Sequence, residues 1–304
     1  MEVVSLFSGC GGTDLGFEKA GCQVIWANDI SPNACETYSH NFGFNPIFGD
    51  IRRVKEFPKC DALVGCYPCQ GFSVYGNRNP DDPRNYLYKE FVRALHQTKP
   101  KYFVTENVKG LLFGYGLNIF KEMLRRYKRE GYDVYPKLIN VKEYGIPQDR
   151  ERVFIVGVRK DQNSAFSFPN PLCGEGLKPY RTLKHALKDM TRPRLGDVYD
   201  LGYSSHYLSR NRKRGWDEVS FTIQACGRHV PLHPSGGKMV YVSKDKFRLG
   251  KAPNRRLSYK ECAAIQSFPR KFDFFGSLSS KYKQIGNAVP PKIAEQIANS
   301  LMDL

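Results

Sequence analysis

The chain has 304 residues, 41% of them hydrophobic, and carries a net charge of +17. That length supports a sizeable core in one large domain or two unequal ones, and no apolar run reaches the length of a membrane span. The opening Met-Glu-Val-Val-Ser lacks the charged-then-apolar build of an export signal, and nine scattered cysteines suit free thiols better than a disulfide framework, so the expectation is a cytoplasmic protein.

Short apolar runs alternate with amphipathic stretches over the first ~160 residues, the pattern of a parallel sheet with crossover helices. It predicts strands at about 3–7, 23–28, 47–50, 61–65 and 102–105, then a pair at about 132–140 and 153–158. Helices are expected at about 14–20, 32–40, 86–98 and 117–130. The first strand leads into Ser8-Gly9-Cys10-Gly11-Gly12-Thr13-Asp14 and a helix, which lets backbone approach a ligand closely. A dinucleotide site would want a third glycine where Asp14 stands, and a carboxylate there opposes a pyrophosphate. It suits a cationic, phosphate-free ligand such as S-adenosylmethionine. Asp29, at the end of the second strand, is placed for ribose hydroxyls, and Asp50, after the third, for an adenine amino group.

The fourth and fifth strands each deliver one reactive group. Pro68-Cys69-Gln70 follows Asp61-Ala62-Leu63-Val64-Gly65, and Glu106-Asn107-Val108 follows Tyr102-Phe103-Val104-Thr105. A thiol and a carboxyl group beside a methyl donor are what methylation of cytosine carbon 5 requires. A thiolate adding to carbon 6 turns the electron-poor ring into an enamine, and the carboxyl group can hydrogen-bond ring N3 and the exocyclic amine. Cys69 needs a cationic neighbourhood to ionise near neutral pH, and Arg150 and Arg152 are candidates for it. Cys66-x-x-Cys69 also matches a redox pair or half a zinc site. The Gly/Asn/Pro/Asp-rich stretch from Gly76 to Asn85 reads instead as a loop, and no second ligand pair stands at zinc spacing, so no metal is expected.

From about 159 to 200 no helical period persists, and short strand-like pieces follow. Residues 181 to 278 carry 20 Lys+Arg against 8 Asp+Glu. Such clustering points to nucleic acid, because phosphate neutralisation is a local, many-contact effect. Pro291 to Leu304 is apolar at helical spacing, with Pro near its first turn.

Taken together these residues resemble the DNA (cytosine-5) methyltransferase family. The resemblance spans nearly the whole chain: Phe7 to Gly12, Gly49-Asp50-Ile51, Pro68-Cys69-Gln70, Glu106-Asn107-Val108 and Gln148-x-Arg150-x-Arg152. It continues through Arg255-Arg256-Leu257-Ser258, Gln266-Ser267-Phe268-Pro269 and Gly286-Asn287-Ala288-Val289-Pro290. It implies an α/β, Rossmann-like, S-adenosylmethionine-dependent methyltransferase domain over 1–180 and 279–304. A smaller, mostly irregular and β target-recognition domain would cover 181–278. It further implies Cys69 as nucleophile and Glu106 on N3, with Gln70, Asn107, Arg150 and Arg152 in the active site. The donor would lie against Phe7, Ser8, Gly9, Gly11, Gly12, Asp29, Asp50, Ile51, Pro68, Asn287 and Ala288. Asp29 stands where the family usually has Glu, and Ile30 where it commonly has an aromatic.

The segment Ser209 to Trp216, followed by Phe221 to Arg228, resembles that of bacterial members methylating GGCC. Arginine pairs bidentately with guanine in the major groove, so Arg210, Arg212 and Arg228, with Gln148, are the expected contacts to double-stranded DNA. The alternative for each arginine is a phosphate grip without sequence reading. The expected protein is a monomer that flips its cytosine, with a companion restriction endonuclease as a further partner. Two other readings stay open: the same chemistry on tRNA, since Pro-Cys-Gln occurs in an RNA-modifying branch of the family, and a non-catalytic DNA-binding module.

Overall fold

The computed structural model describes residues 1–68, 82–194 and 196–304. In chain order the elements are β1 (Glu2–Leu6), α1 (Gly12–Lys19), β2 (Gln23–Asp29), α2 (Pro32–Phe42), β3 (Ile47–Phe48), β4 (Ala62–Gly65), α3 (Tyr88–Thr98), β5 (Tyr102–Val108), α4 (Tyr115–Arg129) and β6 (Tyr132–Asn140). There follow β7 (Gln148–Asp149), β8 (Glu151–Arg159), α5 (Leu183–Leu187), β9 (Ser220–Phe221), β10 (Val240–Ser243), β11 (Lys246–Arg248), α6 (Tyr259–Ile265), α7 (Leu278–Asn287) and α8 (Pro291–Met302). The chain divides into two compact units. The first comprises Met1–Asn140, Glu151–Asn170 and Pro291–Leu304, and the second Val141–Arg150 and Pro171–Pro290. Residues 171–180 and 279–290 therefore pack with the second unit.

The first unit is built on a seven-stranded sheet ordered β3-β2-β1-β4-β5-β8-β6. Strands β1 to β5 are parallel, and β8 runs antiparallel between β5 and β6. The order reverses between β1 and β4, and ligands of such sheets sit at the carboxyl ends beside that reversal. Strands covered on both faces read as continuous apolar runs. Accordingly Tyr102 to Asn107 of β5 are all buried. On one face Val4, Leu6, Leu63 and Phe103 form a core with Phe91 and Leu95 of α3 and Met123 and Tyr127 of α4. The buried positions of α3, Tyr88, Phe91, Leu95 and Thr98, recur at the three-and-four spacing of a single helix stripe. From the far end of the chain α8 returns to lie on α1. The approach is so close that a Cβ on Gly16 would stand 2.5 Å from both the Ala294 Cβ and the Pro291 carbonyl oxygen.

The second unit has little regular structure. Strand β7 pairs with β9 in parallel, and β10 with β11 as an antiparallel ribbon. Helix α6 starts on a capping box, in which the Ser258 hydroxyl accepts from the Glu261 N–H and the Glu261 carboxylate accepts from the Ser258 N–H. Fully buried arginines stand beside an apolar core that includes Leu257, Phe268, Phe272, Phe274 and Ile285. Arg256, 2% exposed, donates to the carbonyls of Arg228, Tyr199, Leu201 and Gly202, and its guanidinium lies against the rings of Tyr199, Tyr203 and Tyr207.

Candidate active site and nucleic-acid interface

At the carboxyl end of β1 the glycine loop is held in a conformation few side chains tolerate. Phe7 and Gly9 both adopt left-handed backbone, with φ of 55° and 57°. A phenylalanine there is uncommon, and such strain gathers at functional sites. A Cβ on Gly9 would meet nothing within 4 Å, so the loop borders open space. The Ser8 N–H donates to the Asn28 carbonyl at 2.9 Å, and the Gly9 N–H to Asp29 Oδ2 at 2.9 Å. Asp29 Oδ1 accepts from the Ser31 N–H at 2.8 Å. Two backbone amides, those of Gly9 and Ser31, thus help to orient the Asp29 carboxylate at the end of β2. Gly11 completes the turn at φ 86°, and Gly12 opens α1.

Three neighbours behave differently from the sequence reading. Asp14 is wholly buried and accepts a hydrogen bond from the Ser5 hydroxyl at 2.7 Å. Burial pushes its carboxyl group up to about 7, so it faces the sheet as a structural acid, away from the role of countercharge to a cationic ligand. Asp50 is chelated by Arg52, whose Nη2 lies 2.5 Å from Oδ2, and the Arg52 hydrogen bonds hold the carboxyl group down at about 2. An adenine amino group would share it with that guanidinium. Ile51 is 2% exposed and belongs to the core.

Strands β4 and β5 lie side by side, with Gly65 opposite Thr105. The chain leaving β4 through Cys66, Tyr67 and Pro68 therefore starts beside Glu106. Cys69 and Gln70 lie outside the described residues. The buried Asn107 amide donates to the Tyr67 carbonyl at 3.3 Å, and its oxygen accepts from the Val108 N–H at 3.0 Å. One side chain thus ties the end of β5 to the segment two residues before Cys69. Glu106 is 8% exposed, and Arg152 Nε stands 2.9 Å from its Oε1. The antiparallel β5–β8 register, with Val108 opposite Arg152, presents that arginine to the end of β5. Glu151 is occupied by Lys109 at 2.8 Å, which leaves Arg152 for Glu106. Cys66 contacts the Thr13 hydroxyl at 3.4 Å, and burial, reinforced by the Glu106 charge, pushes its thiol far above the ordinary cysteine range. It is held as an inert neutral thiol. Among the described residues no group of His, Cys, Asp and Glu is placed to hold a metal ion.

The second unit reassigns several expected contacts. Gln148 is fully buried. Its amide donates to Gln266 at 2.8 Å and its oxygen accepts from the Ile223 N–H at 2.8 Å, so it is a structural link without a surface for DNA. Arg150, 1% exposed, donates to the carbonyls of Ile223, Gly286 and Ala288. That geometry makes it a clasp for the Gly286-to-Ala288 turn, where the sequence reading puts a catalytic group. Arg212, 5% exposed, donates to the carbonyls of Tyr207 and His229 and lies over the Tyr207 ring, which removes it from the guanine readers. Arg210 and Arg228 are exposed. Asn287 is exposed and Ala288 half-buried at the end of α7. Sequence reasoning missed α6, although Ser258-x-x-Glu261 is the signal for its start, and it assigned Arg256 no role.

A family model described as C-5 cytosine-specific DNA methylase matches residues 1–303. The chain is 44% identical to the Type II methyltransferase M.BsuRI of Bacillus subtilis, over 99% of this chain and 79% of that one. It is 42% identical to the Type II methyltransferase M.FnuDI of Fusobacterium nucleatum, over 100% and 94% respectively. The fold also matches the Entamoeba histolytica methyltransferase EhMeth, with a TM-score of 0.74 at 19% identity over 100% of this chain and 98% of that one. Among the described residues no helix is long and apolar enough to cross a membrane. With the family model over almost every residue and relatives above 40% identity over the full length, the chain belongs to the C-5 cytosine-specific DNA methylase family and is a DNA cytosine-5 methyltransferase of the Type II restriction-modification kind.

Proposed function

We propose that the protein methylates carbon 5 of a flipped-out cytosine in a short duplex site of the GGCC type, through a covalent adduct between Cys69 and cytosine carbon 6. The observation that carries this reading is the Glu106–Asn107 pair. Glu106 is buried against Arg152 at 2.9 Å, while Asn107 holds the Tyr67 carbonyl, two residues before Cys69. Positioning of this kind is how a protein turns a slow encounter into an intramolecular step.

In the first step the Cys69 thiolate donates its electron pair to carbon 6, and the carbon 5–carbon 6 π pair moves to carbon 5. Glu106 passes its carboxyl proton to N3, where charge accumulates, and accepts a hydrogen bond from the exocyclic amine; Arg152 pairs with the carboxylate left behind, and the proton returns to Glu106 when the adduct collapses. S-adenosylmethionine, when bound, supplies an electrophilic methyl group. The open space at Gly9 and the aimed Asp29 carboxylate fit such a donor, as does the apolar, exposed Ile30 beside them. After transfer, a base, with water sufficient for the role, takes the carbon 5 proton. The freed pair re-forms the double bond and expels the Cys69 thiolate. Extrusion of the base is required because carbon 6 is closed to attack within a stacked duplex.

The second unit serves here as the target-recognition part, with the exposed Arg210 and Arg228 as readers of guanine. The protein acts as a cytoplasmic monomer whose methylation shields the site from a companion endonuclease. Replacing Cys69 with Ser tests the mechanism: methyl transfer should vanish while duplex binding survives, and a fully active variant would sink the covalent route. Bisulfite sequencing of DNA from expressing cells reads the site itself, and methylation outside GGCC would remove that assignment.

A further inference from the structure

Strands β10 and β11 form a ribbon whose composition is unlike that of a merely solvated surface. Between residues 238 and 251 stand Lys238, Lys244, Lys246, Arg248 and Lys251 against the single acid Asp245. All five cations are exposed, and none has an ion-pair partner among the described residues. Most other cations near them are spent: Arg214 on Glu218, Arg255 on Glu261, and Lys213 on the His233 carbonyl. Between the charges lie large apolar side chains in the open, with Val240, Tyr241 and Val242 at 39%, 65% and 49% exposure. An exposed apolar strip flanked by cations marks an interaction face.

We propose that this ribbon is a DNA-backbone anchor, gripping phosphates and adding affinity without reading sequence. The partner follows from charge and spacing. Strand alternation puts Lys246 and Arg248 on one face, opposite Phe247, whose ring packs edge-on against Tyr241. Two residues along a strand advance about 6.8 Å, which equals the rise, along the helix axis, of two phosphates of one strand of a duplex at about 3.4 Å each. A two-stranded ribbon is also narrow enough to follow a DNA groove. Neutralising several phosphates at once is what five close, unpaired cations do well, and the sugar edges offer the apolar strip a matching surface. The ribbon carries no arginine fork apart from Arg248, so bidentate reading of guanine falls to other residues.

This inference rests on the reading that the second unit faces DNA, and the experiment separates the two. The triple variant Lys244→Ala/Lys246→Ala/Arg248→Ala is compared with the unaltered protein on two duplexes of equal length, one with a GGCC site and one without. Affinity is measured as a function of salt, and methylated positions are mapped by bisulfite sequencing. The variant should bind both duplexes weaker by a similar factor, on the order of tenfold or more. Its slope of log affinity against log salt should be shallower by about 0.9 for each phosphate it no longer neutralises. The sequence context of methylation should stay unchanged. The charge-conserving variant Lys244→Arg/Lys246→Arg/Arg248→Lys should recover both affinity and slope. Unchanged affinity and slope in the alanine variant, a loss confined to the GGCC duplex, or no recovery on restoring the charge would each overturn the anchor. An unaltered protein that binds neither duplex would overturn the DNA-facing reading along with it.

Discussion

The two units solve the same problem with different chemistry. The first buries Val4, Leu6, Leu63, Phe91, Phe103 and Tyr127 around a sheet, and its cohesion comes from apolar surface removed from water. The second also buries apolar side chains such as Leu257, Phe268, Phe274 and Ile285, but among the described residues it has two two-stranded pairings and is braced in addition by Arg150, Arg212 and Arg256, whose guanidiniums cap backbone carbonyls. A buried backbone carbonyl without a partner is costly. An irregular unit therefore needs long, multi-donor side chains in its interior, whereas a sheet satisfies itself. The consequence is direct: in this strongly basic segment, some arginines are buried scaffolding rather than surface charge.

The sharpest way to separate the units is to remove the buried charge at each site. Glu106→Gln keeps the shape of the β5 end but leaves Arg152 without its countercharge, and kcat should fall on the order of 10²–10³-fold with the protein still folded. Single-turnover methyl transfer measures it, and a loss below about threefold would remove Glu106 from the site's machinery. In the second unit Arg256→Met strips four carbonyls of their donor and should cost about 1–3 kcal/mol for each that stays buried and unsatisfied. Trp26 lies in the first unit and Trp216 in the second, so single-tryptophan variants follow the two transitions separately in denaturant. The Trp216 transition should move and the Trp26 transition stay, and equal movement of both would break the comparison.

A smaller effect is expected from Gly16→Ala, which drives a methyl group into Ala294 and the Pro291 carbonyl. Overpacking of this kind costs about 1–3 kcal/mol and should appear in the Trp26 transition alone. A further effect is one of sign. Asp14 loses its proton near 3.8 when unfolded but near 7 when buried, so the folded first unit binds more protons between those values and loses stability as pH rises through them. His233, buried beside Glu261 at 3.4 Å, is pushed down to about 4 by burial, so across about pH 4 to 6.5 the unfolded chain binds more protons. The second unit therefore gains stability as pH rises. Opposite slopes of the two tryptophan transitions between pH 4.5 and 6.5 are expected. Asp14→Asn should flatten one and His233→Gln the other; parallel slopes would refute the assignment.

Features carried by local pattern were open to reading along the chain. Strand alternation and helix spacing locate β1 to β6 and α1 to α4 within a few residues, and the ends of β1, β2 and β5 put Gly9, Asp29 and Glu106 at the carboxyl edge of one sheet. Position along a strand is enough for that, because a parallel sheet with crossover helices has few ways to close. The fates of polar side chains were not open to it. Asp14 turns inward because Ser5, nine residues earlier on β1, offers a hydroxyl in a buried layer. Arg150 is withdrawn from chemistry by carbonyls 73 to 138 positions further along, and Arg256 by carbonyls 28 to 57 positions earlier. An arginine that reads a base and one that caps a turn are the same letter. Which it becomes depends on whether the folded chain brings enough carbonyl oxygens to its five N–H groups to repay taking the charge out of water, and only tertiary structure decides that.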